Sequence, residues 1–313
     1  MELSLEFTAE DLAYTRFAVS PLWETIASLR VLKFPHEHTL HRPWTDTVLP
    51  RLSGLDLRPL TDLIRPGLIA AFICPPPISP APDLDLELAT LRSQPADRVT
   101  ADLDAFGLNY PDLATELTRL SDLIQAYWDL ALAPYWPRIR ALLDGDVLYR
   151  ARLIASGGAR TLFADLDPHI ALEDDTLRVR RRRTPASKPR LNNRGLLLVP
   201  SAFAYPRVFS LTSPGWQPLL RYPVRSIGTL WHRPTNTPSK ALAKVLGPTR
   251  AMLLTLLAQP ATTASLAAFT NLTPGAVSQH LTAMRDCGLV TAHRTGREVF
   301  YAQTTIARSL TGV

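Results

Sequence analysis

Gly275, Ser278, Gln279 and Thr282 follow one another at three- and four-residue spacing, and so do Val277, Leu281 and Met284. On a helix the two sets fall on opposite sides, an apolar one for a core and a small, hydrogen-bonding one for solvent. The outer set carries no acid before Asp286. The chemistry it can do is reading base edges in a major groove: glutamine can bond adenine bidentately, and serine or threonine can reach a base or a phosphate. Thr273-Pro274 just ahead reads as an N-cap with proline at the first helical position, which leaves backbone N–H groups for a phosphate. Arg285 at the far end, and Arg294 and Arg297 around Thr295-Gly296, are cations able to hold phosphates or enter a minor groove.

These residues need a scaffold, and the flanking sequence supplies one. Gly247-Pro248 closes a helix over 241–246 and opens a second with apolar Met252, Leu253, Leu256 and Leu257. Residues 263–269 read as a third helix. Thr270-Asn271-Leu272-Thr273 is a turn of the length that packs two helices near-perpendicular. Gly288 closes the helix begun at Pro274, and residues 289–292 and 299–302 read as strands of a hairpin turned over 294–297. Helix, turn, helix and hairpin in this order make a winged helix-turn-helix.

Upstream, helical periodicity dominates the first half. Ser20-Pro21 opens a helix over 22–32, Leu113 to Trp128 repeat apolar residues at three or four, and a helix continuing to about Ile154 is expected to stop at Gly157-Gly158. From about Leu162 the period becomes two. A hairpin over 170–179 turns on Glu173-Asp174-Asp175, and strands are expected at 195–200, 207–211, 219–222 and 228–231. The fold class is therefore α+β: a mostly helical N-terminal domain with a small antiparallel sheet, then the C-terminal winged helix-turn-helix. The linker-like composition of residues 232–239 sets the expected boundary, with residues 1–235 as one domain and 236–313 as the other.

The net charge of +6 is clustered. Residues 241–313 hold six Lys/Arg (Lys244, Arg250, Arg285, Arg294, Arg297, Arg308) against two acids, and residues 178–183 hold a second cluster. A basic balance concentrated in this way fits an anionic partner. The only cysteines, Cys74 and Cys287, cannot frame a disulfide scaffold or a cysteine-rich zinc site. No apolar run approaches about 18 residues, and the first residues lack the features of a signal peptide. A cytoplasmic, nucleoid-associated protein without membrane contact is expected. HExxH, GxSxG and phosphate-binding glycine loops are missing from the sequence, so no catalytic residue, cofactor or metal is assigned. His36-Glu37-His38 with His41 has metal-ligand spacing but reads as an exposed loop. Cys287, close to Arg285, reads as a small packed residue or as a thiol tuned for redox sensing. Trp23, Trp44, Trp128, Trp136, Trp216 and Trp231 read as core or interface residues, or as the lining of a site for a small apolar ligand.

Leu246-Gly247-Pro248-Thr249-Arg250, Leu272-Thr273-Pro274-Gly275-Ala276-Val277-Ser278-Gln279-His280-Leu281, Cys287-Gly288-Leu289-Val290 and Thr295-Gly296-Arg297-Glu298-Val299-Phe300-Tyr301 together resemble the ArsR/SmtB family of bacterial transcriptional regulators. The resemblance covers the last quarter of the chain in order and spacing. It implies a winged helix, homodimerisation and operator binding, with recognition-helix roles on Ser278, Gln279 and His280 and wing roles on Arg294 and Arg297. Family members sense metal through cysteines on the helix before the recognition helix, or through Asp and His on a C-terminal helix. Residues 263–269 hold neither thiol nor imidazole, so metal sensing there is not expected. Ser20-Pro21-Leu22-Trp23-Glu24, Ala126-Tyr127-Trp128-Asp129-Leu130 and residues 196–202 are similar to an N-terminal domain of no assigned activity fused to ArsR-like regulators in actinobacteria.

The expected function is a sequence-specific DNA-binding regulator of transcription and not an enzyme. In a homodimer, Ser278, Gln279 and His280 read bases of double-stranded DNA, while Thr273, Thr282, Arg285, Arg294 and Arg297 hold its backbone. A non-metal ligand or partner at residues 1–235 modulates binding. The competing reading is a winged-helix protein-interaction module without sequence-specific readout.

Overall fold

A computed structural model describes residues 2–180, 188–225, 227–231, 240–258, 260–295 and 298–311. The chain divides into two compact units: Met1–Tyr135 with Arg150–Arg225, and Trp136–Tyr149 with Ser226–Val313. It opens with β1 (Glu2–Glu6), α1 (Ala9–Ala13), β2 (Arg16–Phe17) and α2 (Pro21–Lys33). Short helices α3 (Arg42–Val48) and α4 (Arg58–Thr61) and the hairpin β3 (Ile64–Arg65) with β4 (Leu68–Ile69) follow. Then come α5 (Leu84–Arg92), α6 (Ala96–Phe106), α7 (Leu113–Ala131) and α8 (Trp136–Ala164). Strands β5 (Ile170–Glu173), β6 (Thr176–Arg180), β7 (Leu197–Ser201), β8 (Phe209–Leu211) and β9 (Leu219–Pro223) complete the first unit. Predominant helix with small sheets makes the fold α+β.

Side-chain caps explain where the helices start. Ser20 Oγ accepts the Trp23 N–H at 2.9 Å, with Pro21 at the first helical position of α2. Asp112 accepts the Thr115 N–H at 3.1 Å at the start of α7. Each cap satisfies an N–H that the first turn leaves without an intrahelical acceptor. α7 then buries Leu117, Leu120, Ile124, Tyr127 and Trp128 along one side.

Gly157-Gly158 breaks the helix as expected: Gly158 leaves helical geometry (φ 69°, ψ −169°), and a second helix follows it to Ala164, so that α8 is two helices joined at a kink. Glycine takes such a φ without a Cβ penalty, and the fully buried Phe163 anchors the continuation. Residues 228–231, expected as a strand, lie instead around a 3₁₀ turn at Ile227–Thr229.

β1, β6 and β5 form an antiparallel sheet in that order, with Leu5 opposite Leu177 and Leu3 opposite Val179. A second sheet runs β2-β7-β9-β8, in which β2, β7 and β9 are parallel and β8 is antiparallel to β9. Leu5, Phe7, Phe163, Leu177, Leu198 and Leu220 belong to one apolar core that joins both sheets. β7 is buried along its whole length, as befits a parallel strand covered on both faces.

The first unit also buries titratable groups. Burial raises the Glu24 carboxyl to about 8, although it accepts the Ala202 N–H at 3.0 Å. Burial likewise raises Glu87 to about 7, where it accepts from Ser20 Oγ at 2.6 Å and from Leu22 N–H at 2.7 Å. His38 falls to about 4 and His41 to about 3, again through burial. Above the ordinary carboxyl value near 4.5 the unfolded chain has lost protons that the folded glutamates keep. Both glutamates therefore make stability fall as pH rises, Glu87 up to about 7 and Glu24 up to about 8. Below the ordinary histidine value near 6.5 the unfolded histidines bind protons that the folded ones refuse, so they make stability rise with pH. Above that value the glutamates act without this opposition. The Tm is expected to fall as pH rises from 6.5 to 8, and Glu24→Gln is expected to flatten the fall. A Tm that climbs across this window in thermal unfolding contradicts neutral buried carboxyls.

Candidate nucleic-acid interface

The second unit continues with α9 (Lys240–Leu246), α10 (Pro248–Leu256), β10 (Ala261–Thr262), α11 (Thr263–Thr270), α12 (Pro274–Asp286), β11 (Val290–Thr295), β12 (Glu298–Gln303) and α13 (Thr305–Thr311). α11 starts in a capping box: Thr262 Oγ1 accepts the Ser265 N–H at 3.1 Å, and Ser265 Oγ accepts the Thr262 N–H at 3.0 Å. Asn271 ends it in the left-handed region (φ 55°), a conformation asparagine tolerates. The chain then turns into α12, where Thr273 Oγ1 accepts the Ala276 N–H at 3.2 Å. Gly288 (φ 72°) closes α12, with the Leu289 N–H donating to the Met284 carbonyl at 2.9 Å.

The hairpin is anchored to that closure. Thr304 Oγ1, just after β12, donates to the Gly288 carbonyl at 2.9 Å. The sheet order is β10-β12-β11, all antiparallel, which places Arg294 opposite Val299 near the hairpin tip. Val277, Leu281 and Met284 pack with Leu253, Leu254, Leu257, Leu266 and Tyr301 in one core.

The first part of α8 belongs to this unit. Ile139 and Leu143 are fully buried, and the Arg138 guanidinium lies 4.4 Å from the Phe269 ring on α11. Gly145 lets the backbone at Pro260 come close: a Cβ there would stand 2.9 Å from the Pro260 carbonyl oxygen.

The sequence-derived site residues fall into three sets. Gln279 and Thr282 lie on the side of α12 away from Val277 and Leu281, while Ser278 and Arg285 stand on the flank next to Leu281. Gln279 and Arg285 are exposed, Ser278 and Thr282 half-buried, and Thr273 is exposed at the helix start. His280 is set apart: it stands between Val277 and Met284 on the flank of the core and is half-buried. Arg294 is exposed on β11, whereas Arg297 lies outside the described residues, as does Gly296. Arg285 reaches Asp286 at 3.4 Å, an exposed pair of the kind that contributes little to stability.

Other candidates resolve differently. The His36–His41 stretch is not the exposed loop its prolines suggest: His38 and His41 are buried, His41 stacks on Phe203 at 4.7 Å, and Glu37 pairs with Arg207 at 2.8 Å. Among the described residues no three His, Cys, Asp or Glu side chains gather as a metal site. Arg178 pairs with Glu2 at 2.9 Å and Glu173 at 3.0 Å, while residues 181–187 lie outside the described residues. Cys287 is exposed and Cys74 buried. Trp23, Trp44, Trp128 and Trp216 are core residues. In this unit β10 and the entry of residues 136–149 escaped the sequence reading; the Thr262–Ser265 pair was the available signal for the first. Among the described residues no helix is long and apolar enough to cross a membrane.

Comparison with known proteins matches two segments of the chain to families. Residues 247–292 match the family described as bacterial regulatory protein, arsR family. Residues 111–228 match a family of unknown function, DUF5937. Nothing matches among curated proteins or solved structures. After a DUF5937 region, the chain carries the helix-turn-helix of the arsR family of bacterial regulatory proteins, and this supports a DNA-binding transcription regulator.

Proposed function

We propose that the protein is a sequence-specific operator-binding regulator, working as a homodimer whose DNA affinity responds to a ligand or partner at its N-terminal region. The observation that carries this reading is the outer side of α12, where Gln279 and Thr282, with Ser278 on the flank, form a small, uncharged, hydrogen-bonding strip behind an exposed N-terminus. Gln279 and Ser278 read bases. Thr273 and Thr282 hold phosphates on one side of the groove, Arg285 and Arg294 on others, and His280 from its flank reaches the groove edge. Arg297 adds a wing contact.

Pairing is supported by exposed apolar side chains. Val245 on α9 is 82% exposed, and Ile306 and Leu310 on α13 are 65% and 51% exposed; both helices pack on α10. A two-fold dimer sets two copies of α12 one helical turn of DNA apart, about 34–36 Å. An effector then acts by binding more tightly to one dimer geometry than to the other.

The test is binding of the full chain to the DNA upstream of its own gene against a scrambled duplex, across a salt series. Discrimination of about 10³ or more is expected. Arg294→Ala is expected to weaken binding to every duplex and to reduce the salt slope by up to about one unit. Equal, salt-labile binding to both duplexes makes the winged helix a protein-interaction module instead.

A further inference from the structure

Near the loop that leaves β7, the first unit buries hydrogen-bond donors that meet no acceptor. Arg30 on α2 is fully buried. Its Nη2 donates to the carbonyls of Phe203, Ala204 and Tyr205 at 3.1, 3.0 and 3.3 Å, while Nε and Nη1 have no partner. Trp23, fully buried, leaves its indole N–H unpaired, and the buried Arg221 leaves its Nε–H unpaired. Ser210 on β8 adds a hydroxyl without a partner.

These groups adjoin one another. The Phe209 ring lies 5.2 Å from the Trp23 ring and 5.1 Å from the Arg30 guanidinium, and the Arg221 guanidinium lies 4.1 Å from the Trp23 ring. Ring faces absorb part of the positive charge but accept none of the in-plane N–H groups. The carboxylates at hand do not complete the set. Glu37 is paired with Arg207 at 2.8 Å, and Glu87 is held by Ser20 and Leu22. Glu24 accepts the Ala202 N–H at 3.0 Å and keeps one unpartnered oxygen, Oε1, on a carboxyl that burial holds neutral up to about 8. The cluster adjoins residues 203–205, just beyond the carboxyl end of β7 in a parallel β2-β7-β9 arrangement, the end at which parallel sheets receive ligands. Buried donors without acceptors are strongly disfavoured in a protein alone. Their excess over acceptors, beside two guanidiniums and two aromatic rings, specifies the guest.

We propose that this cluster binds a small organic anion, a carboxylate on a planar apolar body, whose oxygens accept the unpaired N–H groups of Arg30, Trp23 and Arg221. The assignment stands without DNA; only its effect on operator affinity rests on the regulatory reading above.

The experiment is thermal unfolding of the full chain with benzoate, with benzamide as the uncharged isostere, and with inorganic phosphate. Benzoate is expected to raise Tm saturably, by about 5–10 °C at a hundredfold excess over its Kd, and benzamide to leave it unchanged. Arg30→Met is expected to abolish the response. Because that change also strips donors from three carbonyls, Trp23→Phe serves as the second variant: it removes one N–H, keeps a ring, and is expected to weaken benzoate at least about tenfold. No benzoate response, an equal response to benzamide, a response to phosphate alone, or unchanged benzoate affinity in Trp23→Phe overturns the proposal. Benzoate binding that leaves DNA affinity unaltered keeps the site and removes its regulatory role. A chain that binds benzoate but discriminates no duplex sinks the operator reading and leaves the site intact.

Discussion

Gly145→Ala is expected to destabilise the second unit by about 1–3 kcal/mol. The sign is what makes the result informative. In an unconstrained helix the same change stabilises by about 1 kcal/mol, because glycine loses the most backbone freedom on folding. At this position the new Cβ would stand 2.9 Å from the Pro260 carbonyl oxygen, a backbone atom that cannot swing aside as a side chain does. Helix and loop must therefore separate, and with them the Arg138 guanidinium from the Phe269 ring. Denaturant unfolding of the full chain reads the outcome directly. A stabilised Gly145→Ala protein removes the close packing of α8 on the loop before β10.

Gln279→Ala is expected to leave folding unchanged and to relax base discrimination by about 1–3 kcal/mol at one base pair of each half-site. Gln279 is exposed, so its loss registers only with DNA present. Ser278 and Thr282 beside it are half-buried and can bond the backbone whatever the sequence, so overall affinity should drop less than specificity. Measuring affinity for duplexes substituted one base pair at a time separates the two. An unaltered preference at every position takes Gln279 out of base recognition.

How much of this was legible depended on distance along the chain. Thr273-Pro274 and Gly288 marked both ends of α12 because capping is local chemistry, and the Val277, Leu281, Met284 step placed its buried side. The hairpin after it was legible for the same reason. β1 was not, although Leu3, Leu5 and Phe7 alternate with Ser4 and Glu6: its partner β6 lies far away in sequence, and periodicity names no partner. β2 is two residues long and pairs in parallel with β7, too short for any period. His38 and His41 looked exposed because prolines and polar residues flank them, yet stacking on Phe203 draws His41 inside. The apolar step Ile139, Leu142, Leu143 runs without change into the rest of α8, so nothing in it announces which unit it serves. The donor excess around Arg30 was invisible for a further reason: an unsatisfied hydrogen bond is a property of what surrounds a side chain, and residue types alone do not disclose it.

The division of α8 bears on how such a protein can be rearranged in evolution or by design. A cut within residues 232–239 looks like the natural seam, and a graft of residues 240–313 would carry the whole of α12 and the hairpin. It would leave behind residues 136–149, with the Arg138 contact on Phe269 and the glycine that admits Pro260. The DNA reader is therefore not a portable cassette. Recombination at that seam yields a second unit without residues 136–149, so a chimera must exchange those residues along with the C-terminal segment.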